Sequence, residues 1–260
     1  MLNFLFIPEI ILSIGAMIII LFDLFFEKQK ALSFASVQFL LLIAAYYSLN
    51  NKFSPDYSAY TLNEFTNIFK FILLVGSLMI FHYTYKHLKF LKILKIEYFT
   101  ISLLGLIGTM IMISANSLLM LYLGIELLSL SLYALIGFNK KSSLSSEAAI
   151  KYYVLGAMSS GILLFGISLI YGFTGSITYD DIASQLINID MNSVDYIAII
   201  FGIIFITASL CFKFGAAPFH MWVPDIYQGS LISTTILLST LPKIAVFIVF
   251  LKLYFIPFIL

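Results

Sequence analysis

Lys213 and Lys243 each stand inside a long apolar run, in FKFGAAPFHMWVPDIYQG and STLPKIAVF, and Glu126 stands inside another, LYLGIELLSLSLY. An ionisable side chain in hydrocarbon costs of order ~3 to ~10 kcal/mol depending on the reference, so such residues mark an ion or proton path by default. Burial disfavours the charged form of an amine or a carboxyl, and mutual pairing favours it. A buried Glu–Lys set therefore changes protonation when a neighbouring charge changes. Lys151 opens the sixth apolar run, four residues after Glu147, so the two share a helix face and can pair. His220 follows Lys213 closely and either lines the same wet break or satisfies a backbone carbonyl. For the lysines the plainer reading is snorkelling to an interface. Lys243 is too central in its run for that; Lys213 is less so.

The elements that must hold these groups are membrane helices. Of 260 residues, 62% are hydrophobic and 10% charged, which places the chain in the polytopic membrane class. A spanning helix needs roughly 20 apolar residues. Eight runs qualify: 5–25, 32–49, 68–85, 98–114, 118–138, 152–171, 196–227 and 231–254. Short alternating segments of the β-barrel kind are absent. The expected fold class is an all-α polytopic bundle of about eight transmembrane helices, with no soluble domain. The first run lacks a basic leader and a small-residue cleavage pattern, so it is expected to be a retained helix. Pro8 near its start is tolerated in a first turn.

The seventh run is too long for one straight crossing. Residues 196–227 would span about 48 Å as a helix, against a hydrocarbon core of about 30 Å. Pro218 and Pro224 lie within it, so the helix is expected to break there. Carbonyls freed at membrane depth persist only when buried or facing a water-filled cavity. Lys213, just before the break, is placed to meet those carbonyls. Interrupted helices beside buried charge build ion sites in transporters. Pro242 directly precedes Lys243 and repeats the theme.

The loops alternate in charge. Lys28 and Lys30 follow the first run, Lys86, Lys89, Lys92 and Lys95 the third, and Lys140 and Lys141 the fifth. The other loops carry Lys52, nothing basic near Asn116, and Asp180, Asp181, Asp190 and Asp195. The positive-inside rule puts the lysine-rich loops on the cytoplasmic or matrix side and the N-terminus outside. All fourteen basic residues are lysine. With abundant Ile, Leu, Phe, Tyr and Asn, this suggests an AT-rich gene in an organelle or a bacterium.

Other residues receive structural readings. Glu9 and Asp23, near the two ends of the first span, are expected at the interfaces. His82 and His87 flank the basic loop and are expected in solvent. Gly156, Ala157, Ser160 and Gly161 allow close helix contact. Trp222 suits a core or an interface. Cys211, the single cysteine, excludes an internal disulfide and a cysteine-ligated cluster within this chain. No phosphate loop, metal-ligand spacing, dinucleotide fingerprint or activated nucleophile is found, and nothing points to nucleic acid.

Four ordered stretches carry a family resemblance: LGIELLSLSLYALIGF, EAAIKYYVLGAMSSGILLFGISLIYGFTGS, FKFGAAPFHMWVPDIYQG and STLPKIAVF. The chain resembles the subunit 2 (bacterial subunit N) family of respiratory NADH:ubiquinone oxidoreductase, complex I, which is related to Mrp-type cation/proton antiporters. The resemblance covers most of the chain from the fourth span on; the first three spans fit in number and hydropathy. It implies a division into residues 1–97, three helices and a basic loop, and 98–260, the first antiporter-like five-helix repeat. It implies proton-path roles for Glu126, Lys151, Lys213 and Lys243, with His220 as a further candidate. It implies a non-redox subunit of an H+-translocating NADH:ubiquinone reductase, with FMN, iron–sulfur clusters and quinone in partner subunits and no cofactor in this chain. Other membrane-arm subunits and lipid are the implied partners. The implied location is the mitochondrial inner membrane, N-terminus on the intermembrane side, or else a bacterial plasma membrane.

Members of that family are built on two inverted repeats, and this chain holds one. A split subunit completed by a second polypeptide is the expectation, with truncation as its rival. Two other functions fit the same residues: a subunit of a cation/proton antiporter, and a structural helix bundle within a larger complex.

Overall fold

The computed structural model describes residues 6–25, 29–50, 59–187 and 193–258. Lys28, Lys52 and Asp190 lie outside the described residues, so the orientation argument rests structurally on the other loop charges. Among the described residues the secondary structure is ten helices and no strand: α1 (Ile7–Phe25), α2 (Lys30–Asn50), α3 (Glu64–Phe90), α4 (Glu97–Ser114), α5 (Leu118–Ile136), α6 (Ser143–Thr174), α7 (Tyr179–Leu186), α8 (Val194–Phe214), α9 (Trp222–Gly229) and α10 (Ile232–Phe255). Eight of them, all but α7 and α9, are long and apolar enough to cross a membrane. Seven of the eight apolar runs each appear as one helix.

Local chemistry sets the ends. α3 starts earlier than its apolar run because Asn63 and Thr66 close a reciprocal capping box. α6, at 32 residues, starts well before its apolar run at a Ser142 cap and ends at Gly175 in the left-handed region. Proline is absorbed within the helices in two ways. Pro8 and Pro224 sit in the first turns of α1 and α9, where no backbone donor is needed. Pro242 lies inside α10, and that helix continues through it.

The seventh run is broken as expected, but at Gly215, ahead of either proline. Gly215 adopts φ 76°, and the turn closes with Gly215 N–H donating to the Phe212 carbonyl and Ala216 N–H to the Cys211 carbonyl. This is a Schellman closure, and the left-handed residue it needs is a glycine. The chain re-enters a helix only at Trp222, so the span is α8 and α9 joined by residues 215–221.

α4 is the centre of the bundle. It packs on α1, α3, α5 and α10, and most of its surface is covered. α1 is the most exposed span, its outer face carrying Ile14, Met17, Leu21 and Leu24. Two backbone approaches lock neighbouring spans. A Cβ on Gly108 of α4 would lie 2.8 Å from the Gly124 carbonyl of α5, and a Cβ on Gly166 of α6 would lie 2.7 Å from the Gly202 carbonyl of α8. Small residues let helices without a hydrophobic driving force pack by close contact. Of the four small residues expected in contacts, Gly156 and Ser160 are buried. Ala157 and Gly161 are exposed, and a Cβ on Gly161 would meet nothing within 4 Å. A helix turns about 100° per residue, so neighbouring small residues cannot all face inward.

The two ends of the bundle differ. At one, Lys30 Nζ donates to the Leu94 carbonyl at 2.8 Å, joining the first two lysine-rich loops, and Lys92, Lys95, Lys140 and Lys141 line a shared cleft. At the other, bridges pair Tyr60 with Ala115 and Ser117 with Thr178, and Asn116 Nδ2 donates to Asp180.

Candidate functional site

Lys213 occupies the last turn of α8, just before the break, and only 7% of it is exposed. Its Nζ donates to Ser129 Oγ on α5 at 2.7 Å, and Ser129 Oγ donates in turn to the Ile125 carbonyl at 2.7 Å. The carbonyls at the break are not its partners: that of Phe212 accepts from the Trp222 indole Nε1–H at 2.9 Å and from Gly215. The Schellman turn and the indole satisfy the Cys211 and Phe212 carbonyls, and the lysine reaches across to α5 instead.

Ser129 lies three residues after Glu126, so both project from one face of α5. Glu126 and Lys213 do not form an ion pair among the described residues. Glu126 Oε1 is buried without a hydrogen-bond partner. A cavity of about 10 Å3, the size that admits about one water molecule, opens between Lys213, Ser129, Tyr152 and Pro242.

Depth follows from the α6–α8 contact. Ser159 Oγ and Ser209 Oγ are 2.9 Å apart, and Gly166 meets Gly202, so these antiparallel helices share one register. That register puts Lys213 level with about residue 155 of α6, roughly 18 Å from the lysine-rich end and 28 Å from the other. Lys213 is thus well inside the bundle.

From there aromatic rings lead toward α10. Tyr152 packs on Trp222 with centroids 5.0 Å apart, Trp222 packs on Tyr227 at 6.4 Å, and Lys243 Nζ lies 6.0 Å from the Tyr227 ring centre. The last distance is at the outer limit of a cation–π contact. The Tyr133 and Tyr227 hydroxyls are buried without protein partners.

The other candidates stand apart. Lys151 is half exposed and bonded to Glu147 at 2.9 Å, as the spacing predicts, and to Asp225 of α9 at 2.8 Å. It fastens α9 to α6 at the level of the break. His220 lies in the break and is exposed. His82 is exposed as expected, whereas His87 is half-buried, stacked on Tyr83, with Nδ1 enclosed and unpartnered. Asp23 accepts from Ser33 at 3.0 Å.

Glu9 overturns its interfacial reading. It is 4% exposed and forms an ion pair with Lys70 of α3 at 2.7 Å; Tyr60 donates to the same carboxylate at 2.8 Å. Lys70 also donates to the Tyr60 hydroxyl. Tyr60 lies outside the spans, and burial, then the Glu9 charge, push its hydroxyl well above the usual range. Lys252, near the end of α10, donates to Thr61 Oγ1 and to the Ile113 and Ala115 carbonyls at 3.0, 3.0 and 2.7 Å. Lys70 and Lys252 carry the same sequence signal as Lys243, a lysine within an apolar run (NIFKFILL, FIVFLKLYF). Their partners are remote in sequence, which is why no local pattern reveals them.

Residues 115–259 match the family described as NADH:quinone oxidoreductase/Mrp antiporter, TM. The chain is 41% identical to NADH-quinone oxidoreductase subunit N of Ruthia magnifica subsp. Calyptogena magnifica, over 92% of this chain and 51% of that protein. It is 37% identical to the subunit N of Pelagibacter ubique, over 99% of this chain and 54% of that one. Among solved structures it superposes on a chain of respiratory complex I from Thermus thermophilus with a TM-score of 0.76 and 25% identity, covering 94% of this chain and 52% of that one. It shares its fold with a chain of an archaeal membrane-bound sulfane sulfur reductase at a TM-score of 0.75 and 21% identity, covering 90% and 50%. The chain spans about half the length of the relatives it matches.

Proposed function

Because the chain belongs to the NADH:quinone oxidoreductase/Mrp antiporter membrane family, we propose that it is part of a proton-translocating subunit, of the subunit N type, in the membrane arm of an NADH:quinone oxidoreductase. The observation that carries this reading is Lys213. It is buried at the end of a broken helix and held by Ser129, one turn along α5 from Glu126.

In this mechanism a charge change beside Glu126 alters the relative cost of placing a proton on Glu126 or on Lys213. The proton then passes between Lys213 and Lys243. Tyr152, Trp222 and Tyr227 line the way, and the buried, protein-unpartnered oxygens of Glu126, Tyr133 and Tyr227 are groups that ordered water satisfies. Lys151 acts from the side, tying α9 to α6 so that the break keeps its shape, and His220 offers an exposed proton acceptor within the break.

Redox chemistry, with its FMN, iron–sulfur clusters and quinone, belongs to partner subunits in this reading. In this proposal a second polypeptide supplies the other half of the antiporter-like architecture. The lysine-rich end faces the cytoplasm or matrix. The relatives described above are bacterial, which favours a bacterial plasma membrane over the mitochondrial inner membrane. A cation/proton antiporter is the second reading, favoured by a family that spans both activities.

The test is native isolation of the chain from its membrane with mass spectrometry of what accompanies it. NADH-oxidising subunits and a second antiporter-like polypeptide are the expected companions. Isolation without any NADH dehydrogenase subunit, together with sodium- or potassium-dependent proton flux in vesicles, establishes the antiporter instead.

A further inference from the structure

Among the described residues, Glu9, Tyr60 and Lys70 form a deeply enclosed ionisable cluster outside the axis described above. Lys70 is fully buried, and Tyr60 and Glu9 are 1% and 4% exposed. Buried ion pairs are weak contributors to stability, because desolvation offsets much of the Coulomb gain. In a membrane span such a pair is a functional candidate by default.

Its position relative to the axis is readable from α3 and α10. The start of α3 and the end of α10 both meet the 113–115 turn, through Thr61 and Lys252, so the two helices run antiparallel. Gly76 of α3 faces Leu241 of α10, an added Cβ lying 3.8 Å from Leu241 Cδ2. Lys70 is about 9 Å from Gly76 toward the lysine-poor end, level with about residue 247 of α10. It therefore lies in depth between Lys243 and Lys252. Tyr60, bonded to Lys70, is followed directly by Thr61, bonded to Lys252.

The hydrogen bonding leaves one place for a further proton. Glu9 Oε1 accepts from both Tyr60 and Lys70, while Oε2 is buried with no partner. A proton on Oε2 disturbs neither bond and takes the cluster from net neutral to net positive. Nearby Lys252 adds a positive charge that favours release toward the lysine-poor end. We infer that Glu9, Tyr60 and Lys70 form a second proton-holding site, which passes protons from the Lys243 level past Thr61 and Lys252 to the lysine-poor face. The step is a proton transfer only: Oε2–H forms as a donor on the Lys243 side loses its proton, and Oε2–H breaks as water at that face accepts it.

This inference rests on the proton-translocating reading, so the experiment separates the two. Glu9→Gln, Tyr60→Phe and the double variant Glu9→Gln/Lys70→Met are made beside Lys213→Ala, in native membrane vesicles where the assembled complex oxidises NADH. The readout is protons moved per NADH oxidised. The double variant removes both charges and leaves no buried charge unpaired, so a merely structural pair predicts unchanged pumping. The inference expects a loss of pumping in Glu9→Gln and in the double variant, with NADH oxidation kept, and a smaller loss in Tyr60→Phe. Loss in Lys213→Ala with full pumping in the assembled double variant overturns the inference alone. Full pumping in both overturns the reading beneath it.

Discussion

The Lys213 ammonium donates to Ser129 Oγ at 2.7 Å, and Ser129 stands one turn along α5 from Glu126. The hydroxyl anchors the amine, and no ion pair joins that amine to the Glu126 carboxyl among the described residues.

Ser129→Ala removes this anchor. Hydrogen bonds to charged groups contribute about 1.5–3 kcal/mol, and a loss of that size in a transition state slows a step by about tenfold or more. The expected result is an assembled complex that pumps more slowly, with Ser129→Thr restoring much of the rate. Proton uptake in vesicles measures both.

Lys213→Ala and Glu126→Ala each remove one end of the proposed Glu–Lys pair. Proton pumping should fall while subunit assembly on native gels stays intact. Pumping at the unaltered level in either variant refutes the role given to that residue.

Gly166→Leu places side-chain atoms where the Gly202 carbonyl already stands, 2.7 Å from the new Cβ. Overpacking of this kind costs about 1–3 kcal/mol or more, so the variant should melt at lower temperature in detergent or fail to assemble. Gly161→Leu, five residues earlier on an open face, should leave the melting temperature unchanged, and equal destabilisation by the two would contradict the α6–α8 register.

Tyr60 gives the chain an alkaline limit. Its hydroxyl is held above the ordinary value of 10.0, so the stability linked to its proton is fully present below about that pH and is lost as pH rises through the raised value. Thermal melts of the purified chain should show a decline above pH 10 that is shallower in Tyr60→Phe, the remainder coming from other buried tyrosines such as Tyr179, whose hydroxyl burial also pushes up. A Tyr60→Phe profile parallel to that of the unaltered chain would remove this assignment.

Hydropathy made the spans legible, because a 30 Å hydrocarbon layer demands continuous apolar runs. The broken seventh span was legible for a related reason: a run that long, holding two prolines, cannot cross as one straight helix. Where the break falls was not, since the stop at Gly215 depends on a hydrogen-bonded turn that composition does not encode. Glu9 was misread because burial near a helix end is decided by a partner on α3. The outward turn of Ala157 and Gly161 was equally hidden, as a small residue suits both a tight contact and an open face. Ser129 gave no signal of its own beyond its spacing from Glu126.

The chain contains one tryptophan, and it sits at the joint of the broken span. It is 2% exposed, its indole bonded to the last turn of α8 through the Phe212 carbonyl and packed at a tilt against Tyr152. The joint therefore carries its own optical gauge. In the isolated chain, emission should be blue and poorly quenched by aqueous iodide while α8 and α9 stay docked, and should shift red as they part. Fluorescence of the unlabelled polypeptide thus reads out the opening of the segment that carries Lys213.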